Sequence, residues 1–155
     1  MSFHITNKII KKEWTDYNNH MNVAYYVLVF DEAWEVMLQK FKMGENSAKT
    51  TEMSTMVVET YITYNNEVKE GEAVDIFLTY FDHDKKRLHH RLEMIEKSSK
   101  KLSATIELLS LYVDLNTRKV SEFENEKVNL MKKFINENEN NFNKENLKFL
   151  SKLKK

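Results

Sequence analysis

The sequence contains no cysteine, no proline and only two glycines among 155 residues. Without a thiol, disulfides, thiolate metal sites and cysteine nucleophiles are all excluded. Gly44 and Gly71 alone cannot build a glycine-rich phosphate loop, which removes kinases, P-loop enzymes and dinucleotide dehydrogenases. An excess of charge is missing too, since Lys plus Arg and Asp plus Glu each number 24. Binding to nucleic acid or acidic lipid through a general surface relies on a basic excess, so neither partner is expected. No apolar run approaches the roughly 18 residues of a membrane span. Residues 1–7 show no basic region ahead of an apolar core, so no secretory signal is read. The expectation is a soluble, cytoplasmic protein.

With so few breakers, turns must be built from Asn, Asp, Ser and Lys, as in Asp82-His83-Asp84-Lys85-Lys86. Between such clusters the chain alternates two periodicities. Residues 3–12 read as a first strand. From Asn22 onward, Val23, Tyr26, Val27, Phe30, Ala33, Trp34, Met37 and Phe41 recur at helical spacing, predicting one helix of about five turns. Its first half is apolar almost all round, which predicts burial on most sides. Lys40 and Lys42 suit its negative end, and Gly44 suits its stop.

The period then changes to two. Residues 53–64, 73–81, 87–96 and 101–115 read as strands, with a bulge or bend expected near Leu108 and Leu109 where alternation slips. Short links between them predict an antiparallel meander. One long helix with one antiparallel sheet is an α+β architecture, the sheet curving round the central helix. Tyr61, Phe77, Phe81 and Ile95 fall on the opposite faces, so a second subunit is expected there, in a homodimer or homotetramer. Residues 1–122 form this domain. Residues 123–155, rich in Asn, Lys and Glu, read as a solvated tail with one or two marginal helices, the alternative being a lid or a partner-binding helix.

Residues 14–26 concentrate the chemistry: Trp14, Asp16, Tyr17, His20, Asn22, Val23, Tyr25 and Tyr26 precede or open the long helix. A helix start offers N–H groups without partners and partial positive charge. An acid held beside such donors suits a catalytic site, and it equally suits a well-capped helix.

The pattern Asp16-x-x-x-His20-Met21-Asn22-x-x-x-Tyr26, before a long helix and four strands, resembles the hotdog-fold acyl-CoA thioesterases of the 4-hydroxybenzoyl-CoA thioesterase type. The fuller string through Asp31 looks closest to the betainyl-CoA thioesterase branch. Later pieces agree, among them residues 58–64, 86–90 and 104–114. The likeness spans about residues 5–125 and departs at Asn19, where the family commonly has Gly. Asn is the next best residue for a left-handed backbone.

The resemblance implies hydrolysis of a small acyl-CoA thioester, betainyl-CoA or a related short polar ester, without cofactor or metal. Asp16 would act on water or attack directly, and the backbone around His20 and Val23 would stabilise the oxyanion. His20 would orient the carbonyl or hold the loop. Asn22 would cap the helix or tie the loop. Glu59 would be a second acid–base group facing a neighbouring subunit, or an exposed strand carboxylate. Tyr25 and Tyr26 would line the acyl pocket or belong to the core. Trp14, Tyr17, Tyr25, Trp34 and Tyr61 are candidates to face a quaternary ammonium, and Lys85, Lys86 and Arg87 to meet CoA phosphates. His89 and His90 point to opposite faces of their strand and cannot form a metal pair. Two other functions compete: a hotdog enoyl-CoA hydratase, whose Gly-Asp-x-Asn-Pro-x-His motif this chain lacks, and a non-catalytic acyl-CoA-binding subunit.

Overall fold

The computed structural model describes residues 2–155. Helix α1 (Val23–Lys40) begins where the Asn22 side chain accepts the Ala24 N–H, and it ends beside Lys40. Tyr26, Val29, Phe30, Ala33, Trp34, Met37 and Leu38 form its buried face. Burial on most sides is corrected: Val23, Val27 and Leu28 stay exposed, because the sheet reaches only one side of the helix. Gly44 does not stop α1 directly. It holds φ +101° ahead of a second, unanticipated helix α2 (Glu45–Thr51), where the Glu35 carboxylate accepts the Glu45 N–H at 2.7 Å. A Cβ on Gly44 would collide with that carboxylate.

Strands β1 (Phe3–Ile9), β2 (Met53–Tyr64), β3 (Ala73–His83), β4 (Arg87–Glu96) and β5 (Leu102–Asp114) pair antiparallel in the order β1-β3-β4-β5-β2, with short β6 (Lys119–Val120) on β5. This is the expected α+β arrangement, an antiparallel sheet curled round α1. The meander holds for β3, β4 and β5 but not for β2, which pairs with β5 at the sheet edge. Residues 65–72 carry the chain from there to β3 on the far side. Fully buried Val68 anchors the crossing, and its carbonyl accepts the Met21 N–H at 2.8 Å.

Two irregularities reverse which side chains face the helix. Register shifts between Leu78 and Tyr80, so Val74, Ile76 and Leu78 face inward, and beyond the shift Phe81 does. Phe81 is therefore core, packed on Trp34 and Phe41, rather than outward-facing. The expected slip near Leu109 is real but lies on the facing strand, between Val57 and Glu59. One extra residue changes the parity of every residue beyond it. Glu59, Tyr61 and Thr63 consequently lie on the outer face of the sheet.

That outer face is covered by the chain's own C-terminus, not by solvent. Helix α3 (Asn125–Asn138) itself lies on the α1 side, where it buries Met131 in the main core and sets Phe134 against Phe3, Phe41 and Phe81, and the chain that follows it turns to the outer face. Beyond it, Phe142 packs on Tyr80 and Phe149 on His89. The buried Glu107 carboxylate accepts the Lys148 and Phe149 N–H groups at 2.8 and 2.9 Å and faces His89 Nε2 at 2.7 Å. Composition alone hid this, because the segment is held through backbone N–H groups, which every sequence has. Among the described residues, no helix is long and apolar enough to cross a membrane.

Glu107→Ala should free residues 139–155, seen as rapid proteolysis there and a stability loss on the order of 3 kcal/mol. A second expectation concerns His90, fully buried and stacked on Trp34 at 3.5 Å with neither ring nitrogen hydrogen-bonded. Burial, then the neighbouring His89, holds its pKa well below the usual imidazole value. Above about pH 6.5 the ring is neutral in both folded and unfolded chains. Below that, only the unfolded chain gains the proton, so stability falls as pH falls, by about 1.4 kcal/mol per pH unit for this group. Urea titrations between about pH 5 and 8 should show that slope, reduced in His90→Leu.

Candidate active site

Residues 12–22 form a closed loop at the mouth of α1. A single 3₁₀ turn (Lys12–Trp14) leads to a bridge between Thr15 and Met21, and the Asn22 N–H reaches back to the Trp14 carbonyl at 2.9 Å. Within it the Asn19 N–H donates to the Asp16 carbonyl and the Asp16 N–H to the His20 carbonyl. Asn19 sits at φ +64°, the left-handed region that Asn tolerates better than most residues. The turn therefore forms with Asn at this position.

Both oxygens of Asp16 are held. Oδ1 accepts the Asn18 N–H at 2.8 Å, and Oδ2 accepts the Asn22 amide Nδ2 at 3.0 Å. The Asn18 N–H, then the Asn22 amide, and more weakly the charge of His20, hold its carboxyl below the usual range. Asn22 meanwhile accepts the Ala24 N–H through its own Oδ1 at 3.0 Å. The next donor of the helix start, the Val23 N–H, has no acceptor among the described residues. An ionised carboxylate and a free N–H on the positive end of α1 thus flank one loop.

A cavity of about 160 Å³ adjoins the loop, lined by His20, Met21, Val23, Tyr26, Tyr64 and residues 65–67. His20 Nδ1 lies 3.3 Å from the Met21 carbonyl, and its Nε2 lies 3.7 Å from Glu67. Glu67 was not legible in the sequence, because it belongs to a polar link whose route depends on β2 pairing at the far edge.

The other candidates scatter. Trp14 is buried and stacks on Tyr25 at 6.2 Å, while Tyr17 is 92% exposed. Trp34 is core beside His90. Tyr61 lies under the Lys148 ammonium, and Glu59 pairs with Lys152 at 3.4 Å on the outer face. The structure does not bring Glu59 to Asp16 within the chain. Lys85, Lys86 and Arg87 sit at the β3–β4 turn, at the opposite end of β3 from the cavity, and Arg87 is bound to Asp84 at 2.9 Å. No cluster of three His, Asp or Glu side chains suited to a metal occurs among the described residues.

Residues 10–134 match the Thioesterase-like superfamily. Over 114 residues the chain is 31% identical to a betainyl-CoA thioesterase of Pseudomonas aeruginosa, covering 74% of this chain and 72% of that one. A hypothetical protein from Staphylococcus aureus, solved in complex with CoA, matches with a TM-score of 0.80 and 20% identity, over 96% of this chain and 91% of that one. A putative thioesterase from Pseudomonas putida KT2440 matches with a TM-score of 0.79 and 22% identity over 96% of both chains. At that identity the two structures attest the fold.

Asn22 ties the carboxylate to the helix, so Asn22→Ala should act on both. The helix loses its cap, costing about 1 kcal/mol, and the Asp16 pKa rises towards the ordinary carboxylate value. A carbon-detected NMR titration of the Asp16 carboxyl checks the second effect, and an unmoved titration would refute the bridge.

Proposed function

From the premise that the chain belongs to the Thioesterase-like superfamily, we propose that it hydrolyses a small acyl-CoA thioester to free acid and CoA, with Asp16 as the reacting carboxylate. The observation that carries this reading is the pair of bonds holding Asp16 ionised beside the unpaired Val23 N–H. A thioester carbonyl placed between them meets a donor for its developing negative charge on one side and a carboxylate on the other. Asp16 then either takes a proton from water as that water attacks, or attacks itself to give an anhydride that water opens. In both routes the carbonyl carbon gains an oxygen and the CoA sulfur departs with the electron pair. His20, at the cavity wall, orients the substrate carbonyl or the loop rather than carrying the proton step.

The small cavity suits a short acyl group, and the Pseudomonas aeruginosa relative makes the betainyl ester the first candidate. The working unit in this proposal is a homodimer. β2 is an edge strand of 12 residues with Met56, Val57 and Val58 exposed, the kind of edge that pairs with another chain. Because residues 139–155 already occupy the outer face, a second copy fits at the β2 edge and not on the back of the sheet.

A panel of short acyl-CoA esters, followed by free-thiol release, tests the reaction. Asp16→Asn should lower turnover by about 10²–10⁴-fold while light scattering still reports a dimer. Full turnover in Asp16→Asn would remove Asp16 from the chemistry, and a monomer in the parent protein would remove the dimer.

A further inference from the structure

A second cavity lies at the β3–β4 turn, at the opposite end of β3 from the Asp16 loop. Its volume of about 350 Å³ equals roughly twelve liquid-water volumes, room for an organic molecule of about ten heavy atoms. The floor is apolar: Val128 and Ile135 are half-buried on one face of α3, and Lys132 stands between them on that face. The rim is cationic. Asp82 is taken by the Lys155 ammonium at 2.6 Å and Asp84 by the Arg87 guanidinium at 2.9 Å. The exposed ammonium groups of Lys85, Lys132 and Lys154 have no carboxylate partner among the described residues. Asp84 also accepts the Lys154 N–H at 2.8 Å, which holds that end of the chain at the rim.

His83, only 7% exposed, lines the same cavity. Its Nδ1 lies 3.0 Å from the Asp84 carbonyl, and its Nε2 has no partner among the described residues. The first contact places the proton of the neutral ring on Nδ1 and leaves Nε2 as the open atom. Burial foremost, opposed by the Asp84 carbonyl and Asp82 and joined by the charges of Lys155 and Lys132, holds the His83 pKa below the ordinary imidazole value. The Asp16 chemistry has no use for this imidazole.

We propose that this cavity binds a small amphipathic monocarboxylate, its alkyl chain on Val128 and Ile135 and its carboxylate against Lys132, Lys154 and His83 Nε2. An apolar floor beside unpaired ammonium groups suits an anion with a hydrocarbon body. A wholly apolar ligand would leave Nε2 buried without a partner. A multiply charged anion such as a phosphate monoester would face Asp82 and Asp84 and leave the floor uncovered. A carboxylate only accepts hydrogen bonds, so at Nε2 it meets the protonated ring. Ligand and proton therefore support each other at His83.

Octanoate is the probe, and octan-1-ol its uncharged counterpart of equal chain length. In NMR titrations of the full chain near about pH 7, octanoate should shift the Ile135 methyl and His83 ring signals with a Kd of roughly 0.1–1 mM. Octan-1-ol should bind about tenfold or more weakly. Octanoate should raise the His83 titration midpoint, and octan-1-ol should leave it in place. Lys132→Glu and Lys154→Glu, both at exposed positions, should each weaken octanoate about tenfold and leave octan-1-ol unchanged. Equal affinity for the two probes would overturn the proposal. So would octanoate shifts confined to other residues, an unmoved His83 midpoint, or unaltered binding in both variants. None of these outcomes depends on thiol release, so the reading of Asp16 stands or falls separately.

Discussion

The carboxamide of Asn22 has two ends, and the structure uses both. Its Nδ2 donates to Asp16 and its Oδ1 accepts the Ala24 N–H. One side chain therefore starts the central helix and fixes a carboxylate at its positive end. The Val23 N–H between these bonds has no acceptor among the described residues. Preorganisation of this kind is what hydrolysis of a thioester needs, since the oxyanion forms beside a dipole that does not have to reorient. It also explains why Asp16 stays ionised while remaining open to solvent: its stabilisation comes from hydrogen bonds within the loop, not from a buried counter-charge.

The sheet supplies the second half of the site by an indirect route. β2 leaves its neighbours in sequence to pair with β5, and the link that returns to β3 must pass the mouth of α1. Val68 is buried in that passage and bonds to Met21, which brings Glu67 to His20 and Tyr64 to Tyr26. The cavity thus joins a local feature of the chain, a helix start, to a pairing between strands far apart in sequence. On the opposite face, Glu107 and His89 hold the C-terminal segment through backbone N–H groups and aromatic contacts. The sheet has its helix on one side and its own terminus on the other, and β2 is left with its outer edge free.

Local features were readable wherever one side chain settles the conformation. Asn22 opened the helix where its type and position indicated, and Asn19 adopted the left-handed turn that only Asn or Gly takes readily. On β4, Leu88, His90, Leu92 and Met94 alternate without interruption and all face the core. Alternation failed on β2 and β3 because one unpaired residue on each, Val58 and Thr79, reverses the faces beyond it. Nothing in the local residue types marks such a slip, since it answers the packing of the partner strand.

By itself, then, the sequence determined the α+β class, the central helix, the Asp16 to Tyr26 stretch and the exclusion of cysteine and phosphate-loop chemistry. These depend on composition and on interactions within a few residues. Only the tertiary structure decided that β2 lies at the edge, that Glu59 faces Lys152 rather than Asp16, that Glu67 joins His20, and that the tail is docked on Glu107. Each of these depends on contacts between segments far apart in the chain. Strand order and register are set by how the whole core packs, and no single residue type carries that information.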